Sequence, residues 1–479
     1  MTLRQLGKKK MDELRPTRAL AAFAADLDPR HLPGEVREKL GWLLLDYLRV
    51  ASIGARLPWS AWARGYVEAV ALAGASRVLF SPDALNPEHA TFMNVTFGSS
   101  FDGDDTHVGA MLHPGVASWA AALAVAEHAG ASGSEVLAAV VAGYETTIRI
   151  GLAVQPGHFK RGFQSTGTCV GFGTAAASGR LLFRGTDAAQ RIVEAIGLAG
   201  GYCSGIAQFY YSGSSAKRIQ AAHAAQSGVA AALLSQHGFA GPADILEGAG
   251  GFARAYADGW SPALIEDGLG TRFHLMDVLV KSHAAAARVA AGIDGMLALR
   301  RQHHFVAADI ATMHLGIPRI IQGRLTNKHP ADLQAAQMCL PFSVALAAKV
   351  ALPLGLMPTV GVADYEAGLR DKSLHDLEER TTLDLDDEVE AASNALSTAA
   401  KVSVQLRDGR SLSVLVRAPK GSASDPFTGA EHEARFTQEL SRRVSAKICA
   451  EIVRMSKDLD RLDPRWLGRV LGEDPAAGG

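Results

Sequence analysis

Hydrophobic periodicity changes twice along this chain. Helical spacing fills the first half, two-residue alternation appears after about residue 300, and helical spacing returns between Glu431 and Arg454. A chain that leaves helical spacing and comes back to it fits a helical domain interrupted by a second, mixed one. In the first part, Leu40, Leu43, Leu44, Tyr47 and Leu48 share one face between Pro33 and Gly54. Ser132 and Glu135 form a capping box before an apolar run that reaches Ile150, and an alanine-rich helix is predicted from Lys217 to His237, stopping at Gly238. Hydrophobic residues make up 48% of the chain but aromatic ones only 6%, and there are 49 glycines. An interior of that kind is built from Ala, Val and Leu on helices in close contact.

In the alternating part, Ala311, Met313, Leu315 and Ile317 read as a half-buried strand. Val402, Val404 and Leu406, then Asp408-Gly409, then Leu412, Val414 and Val416 read as a β-hairpin. Helices are predicted over 332–348 and 386–399, which makes 272–421 a compact α+β segment ending at the Ser/Asp/Pro-rich joint 421–426.

Lys and Arg number 48 against 49 Asp and Glu, so no global field draws the chain to nucleic acid or an anionic membrane. Cys169, Cys203, Cys339 and Cys449 lie far apart without a C-x-x-C pair, so neither a zinc knuckle nor a disulfide framework is indicated and a reducing cytoplasm fits. Lys8, Lys9 and Lys10 have no apolar segment behind them, so no secretory signal is expected. The uncharged stretch 195–216 holds five Gly and four Ser and inserts poorly into lipid, so a soluble protein with a frayed end over 470–479 is expected.

The densest polar cluster is Phe101-Asp102-Gly103-Asp104-Asp105-Thr106-His107, followed by His113-Pro114-Gly115. An EF-hand fails because the sixth position is not Gly and His113 stands where Glu should close the loop. A zinc site on His107 and His113 lacks the H-E-x-x-H spacing. A capped turn with solvated aspartates and a functional cluster both remain. Lys217 reads in three ways: a solvated lysine, the base of a Ser214-x-x-Lys217 hydrolase lacking S-D-N and K-T-G, or a cation at a helix start where a substrate carboxylate fits. Gly171-x-Gly173-x-x-Ala176 follows no buried strand and reads as a small-residue helix contact rather than a dinucleotide loop. Lys281 and His283 are expected to open a helix at the start of the second domain, a junction where small-molecule sites are favoured, while His303 and His304 sit in a solvated helix end.

Taken in order, Phe101-Asp102-Gly103-Asp104-Asp105-Thr106 with His113-Pro114, Gly143-Tyr144-Glu145 with Arg149, Gly171-Phe172-Gly173-Thr174, Ala216-Lys217-Arg218, Gly238-Phe239-Ala240-Gly241-Pro242, Lys281, Leu340-Pro341-Phe342 and the Asp408-Gly409 hairpin resemble the MmgE/PrpD family. Its members include 2-methylcitrate dehydratase, cis-aconitate decarboxylase and iminodisuccinate epimerase. The resemblance implies a mainly α fold, with a large all-helical domain from 1–271 and 422–479 and a smaller inserted α+β lid over 272–421. It further implies a homodimer and a site between the domains without cofactor or metal. Asp102, Thr106, His113, Lys217 and Lys281 correspond to the decarboxylase branch's active-site set, and Tyr144 and Arg149 to substrate-contacting positions of the epimerase branch. Gln164 stands in Gly162-Phe163-Gln164-Ser165-Thr166 where many relatives carry His, and it too is expected to contact substrate. The implied chemistry is a lyase reaction on a small di- or tricarboxylate, with epimerisation of an amino- or imino-dicarboxylate as the alternative. His113, Lys281, Asp102, Lys217 and Tyr144 are the expected catalytic groups, His113 with an ordinary pKa of about 6.5.

Overall fold

The computed structural model describes residues 14–212, 214–352 and 359–473; Lys8 to Lys10 and the last six residues lie outside it. The protein is mainly α. The helices of its body are α1 (Pro16–Asp26), α2 (Gly34–Gly54), α3 (Pro87–Ser99), α4 (Gly115–Ala129), α5 (Gly133–Val154), α6 (Ser165–Leu182), α7 (Ala188–Ala199) and α8 (Lys217–Gln236), with a ribbon of β1 (Ala73–Arg77) and β2 (Ala84–Leu85) at one side. The predicted apolar face of α2 is buried throughout. At the start of α5, the Ser132 backbone N–H donates to Glu135 Oε2 at 2.8 Å, and Gly238 adopts φ 97° just beyond α8.

Helix α6 lies between α5 and α8. Gly173 faces the Gly143 carbonyl and the Thr147 hydroxyl so closely that no methyl group fits. The Gly171–Ala176 run is thus a helix-contact surface, and small residues bring three helix backbones together. Helix α5 is long and apolar enough to cross a membrane by length and composition, and 94% of its most apolar window is buried inside the protein.

The mixed part contains α9 (Ala290–His303), β3 (Ile310–Ile317), α10 (Leu340–Ala347), α11 (Lys372–Glu379), β4 (Thr381–Leu385), β5 (Ala400–Leu406) and β6 (Ser411–Val416). Its sheet runs β4-β3-β5-β6, parallel between β3 and β4 and antiparallel elsewhere, with Gly409 at φ 94° in the β5–β6 turn. Strand β4 was not anticipated, because only five residues are extended and Leu385 on them is exposed. Returning helices α12 (Gly429–Leu440) and α13 (Ala446–Lys457) pack on α2. One apolar core therefore runs from Leu20 to Ala284 and resumes from Phe427 to Leu471, while a second occupies Ala285 to Leu406.

Four expectations need correction. Lys281 and His283 open no helix; regular helix starts at Ala290, after a 3-10 turn over Ala287–Val289. Their segment is extended because Val280, Ala284 and Ala286 spend their N–H groups on the carbonyls of Gly421, Val360 and Gln337. The helix expected over 386–399 ends at Ala392, where the Ser393 hydroxyl bonds back to the Val389 carbonyl and the Asn394 side chain captures the N–H groups of Leu396 and Ser397. The helix expected over 332–348 splits in two, because Pro341 and the Cys339 cap start a new one at Leu340. Val470 and Leu471, expected to fray, are buried in a helix over Pro464–Gly472.

Candidate active site

The loop between α3 and α4 is held against the segment entering the second core by a two-residue antiparallel bridge. Thr106 N–H donates to the Leu279 carbonyl at 2.9 Å and Leu279 N–H to the Thr106 carbonyl at 2.8 Å. That bridge sets Asp102 beside Lys281, and the first residue of α8 adds Lys217. Lys281 Nζ lies 2.5 Å from Asp102 Oδ1 and 2.8 Å from the Asp102 carbonyl, while Lys217 Nζ binds Oδ2. Asp102 is 2% exposed and sits at φ 60°, a left-handed conformation that Asp tolerates better than most residues. Burial opposes its ionisation, but the two ammonium groups and His113 outweigh that cost and hold the carboxyl well below the usual range.

His113 Nδ1 lies 3.0 Å from both the Asp105 carbonyl and the Thr106 hydroxyl. A carbonyl only accepts, so Nδ1 carries the proton in the neutral ring and Nε2 keeps a lone pair with no partner among the described residues. Burial pushes the imidazole down to about 4; Asp104, 3.7 Å from Nδ1, resists this, and the two lysines reinforce it. Asp105 itself points away. Its carboxyl receives the Tyr144 hydroxyl at 2.7 Å and Gly115 N–H at 2.9 Å, and burial pushes it up to about 7 despite those donors. Any side chain at Gly115 would collide with the Asp105 carboxyl and the Tyr144 hydroxyl.

Asp102, Thr106, His113 and Lys217 line a cavity of about 90 Å³ whose other wall carries Phe159, Tyr210, Arg288 and Arg324. Arg288 is anchored to the Thr398 hydroxyl at 2.8 Å and the Val108 carbonyl at 3.1 Å. The Arg324 guanidinium lies 3.9 Å over the Phe159 ring and has no ion pair among the described residues. Burial raises the Tyr210 phenol to about 12, so it stays protonated at neutral pH. The arrangement offers an imidazole lone pair, a phenolic proton and fixed cations around one small space.

The sequence profile of the MmgE/PrpD N-terminal domain matches residues 18–265, and that of the MmgE/PrpD C-terminal domain matches 283–461. The chain belongs to the MmgE/PrpD family. Lys281 falls between the two matched stretches. Among curated relatives, a cis-aconitate decarboxylase of Aspergillus terreus (strain NIH 2624 / FGSC A1156) is 27% identical over 425 residues, covering 85% of each chain. A cis-aconitate decarboxylase-like protein of Aspergillus oryzae (strain ATCC 42149 / RIB 40) is 28% identical over 302 residues, 60% of this chain and 62% of that protein.

Of the residues the MmgE/PrpD resemblance singles out, five converge: Asp102, Thr106, His113, Lys217 and Lys281. Three do not face the cavity. Tyr144 is spent on Asp105 and is fully buried. Arg149 pairs with Glu145 at 3.0 Å and donates to the carbonyls of Ile265, Asp267, Gly268 and Arg272, so its cation pins a loop instead of meeting a ligand. Gln164 caps α6 through Oε1 on Gly167 N–H, a role open to an amide oxygen. Ser214 is exposed and its hydroxyl accepts from Ala216 N–H, while the Lys217 ammonium is committed to Asp102. Tyr210, Arg288 and Arg324 carried no motif that marked them.

Asp102, Asp104 and His113 are close enough to share a metal ion, but the Lys217 and Lys281 ammonium groups already hold both oxygens of Asp102. His107 falls in a different group, with His274 and Asp277, so the His107–His113 pair is not assembled.

Proposed function

We propose that the chain is a cofactor-independent lyase that decarboxylates or dehydrates a small di- or tricarboxylate. The observation that carries this reading is the charge balance of the cavity: among the described residues, Lys217, Arg288 and Arg324 face it against the one acid Asp102, and His113 is neutral. Such a wall takes a compact polyanion. The names of the curated relatives support the same class of reaction.

A polyanion entering beside His113 raises the proton affinity of the imidazole, so substrate and proton enter together. For a carboxylate with a double bond one carbon removed, the carbon–carbon bond to the carboxylate breaks and its electron pair forms the new alkene. The former alkene pair takes the proton from His113 Nε2, carbon dioxide leaves, and His113 returns to its neutral Nδ1–H form. Lys217, Arg288 and Arg324 stabilise charge spread into the remaining carboxylates. Dehydration uses the same space, with His113 Nε2 accepting a carbon-bound proton and Tyr210 protonating the departing hydroxyl. The pair His113 and Tyr210 also suits epimerisation, the second reading.

Proton NMR in deuterated water with citrate, methylcitrate, aconitate, tartrate and amino-dicarboxylates separates these. The expected result is one compound that loses carbon dioxide or water. Deuterium at the stereocentre of recovered substrate, with neither product formed, overturns the lyase reading in favour of epimerisation.

A further inference from the structure

Behind the Asp102 loop lies a second cavity of about 440 Å³, which the reaction above does not use. Its wall is built from α2, α12 and the extended 281–284 segment, and it backs onto Phe101 and Gly103, the neighbours of Asp102. Arg49, Arg56, Arg435 and Arg442 line it, opposed by Glu366 and Glu439. Arg56 pairs with Glu439 at 2.6 Å and Arg49 with Asp46 at 2.8 Å. Arg442 reaches Glu439 only at 4.0 Å and is 65% exposed. Two donors are left over at buried positions: the hydroxyl of Ser282, which is 4% exposed, and Nη1 of Arg435, whose nearest acid is Asp46 at 3.9 Å. Both atoms are closed off from the open space, and the Arg435 guanidinium also lies 4.2 Å over the Phe427 ring, so it is the excess of arginine over acid on the wall that marks a place for an anion.

We propose that this rear cavity binds a compact multivalent oxyanion, a phosphate or polycarboxylate compound held by the forked guanidinium groups. The site is joined to the first one at Lys281, which lines the rear cavity and whose backbone carbonyl accepts from Arg435 Nη2 at 2.6 Å. An anion that fixes Arg435 therefore also fixes the peptide that carries Lys281. Binding does not depend on the reaction proposed above, and it is measured without turnover.

The test is calorimetric titration of inorganic pyrophosphate, and separately of citrate, into the full-length protein and its Arg442→Gln, Ser282→Ala and Arg324→Gln variants. Arg442 is a surface side chain, so its replacement leaves the fold intact, and Arg324 belongs to the other cavity. The expected result is a pyrophosphate or citrate site whose affinity falls tenfold or more in Arg442→Gln and is unchanged in Ser282→Ala and Arg324→Gln; a second citrate equivalent that weakens in Arg324→Gln alone belongs to the first cavity. Pyrophosphate binding alone with this pattern assigns a phosphate ligand, and citrate alone a carboxylate one. Absence of binding by both anions, affinity indifferent to Arg442→Gln, or loss in Arg324→Gln with none in Arg442→Gln overturns the proposal.

Discussion

Asp102 has two cationic partners and a left-handed backbone, so its chemistry is tied to its position more tightly than that of any other group in the cavity. Replacing Lys217 by Met keeps the aliphatic stem and removes one ammonium from the wall. We expect kcat/KM to fall by about a hundredfold or more, the usual effect of deleting one preorganised donor, with circular dichroism unchanged. His113 gives a second residue-scale prediction. Because burial lowers its proton affinity, a long-range proton–nitrogen spectrum at pH 7 should show a neutral ring protonated at Nδ1, titrating near pH 4 rather than about 6.5. A saturating dicarboxylate should move that midpoint upward, and a midpoint unmoved by any polyanion would sink the proton-with-substrate step.

At the scale of elements, the close approach of α5, α6 and α8 rests on positions with no side chain. Gly173→Val forces α5 and α6 apart and should cost about 1–3 kcal/mol or more, read as a lower urea midpoint with the same slope. Gly65 makes the contrast. It lies exposed in the helix Pro58–Val70 with nothing near its missing Cβ, so Gly65→Ala should stabilise by about 0.5–1 kcal/mol. The long helices and the hairpin were legible because their signals are local: a capping box, a leucine face, Asp-Gly between alternating runs. The ends of the shorter helices were not, since Ser393 and Asn394 turn the chain by side-chain bonds that periodicity does not record. The site divides along the same line. Asp102 to His113 stand together in sequence and were visible as a cluster, whereas Tyr210, Arg288 and Arg324 reach the cavity only through the fold. Arg149 and Tyr144 misled because a buried cation and phenol look alike in sequence whether they meet a ligand or a neighbouring carbonyl.

For the whole molecule, the decisive join is the one between the returning helices and α2. His432 on α12 stacks on Trp42 of α2 with ring centroids 5.3 Å apart and meets Phe427 edge-on at 5.5 Å. Burial lowers it to about 4. A histidine depressed in the fold contributes stability that is complete above its unfolded pKa of about 6.5 and is lost as pH falls towards 4. His432→Phe keeps the stack and removes the proton, so the variant should gain about 2 kcal/mol on the wild type between pH 7 and pH 5, measured by chemical denaturation at both values. The same join has a consequence for synthesis. While the ribosome makes the stretch between Gly54 and Gly429, at about 5–20 residues per second, the groove on α2 waits on the order of tens of seconds for the helices that fill it. During that interval the face of α2 that carries Gly41 and Trp42 is left uncovered, and a nascent chain of this design is a natural client for a holding chaperone.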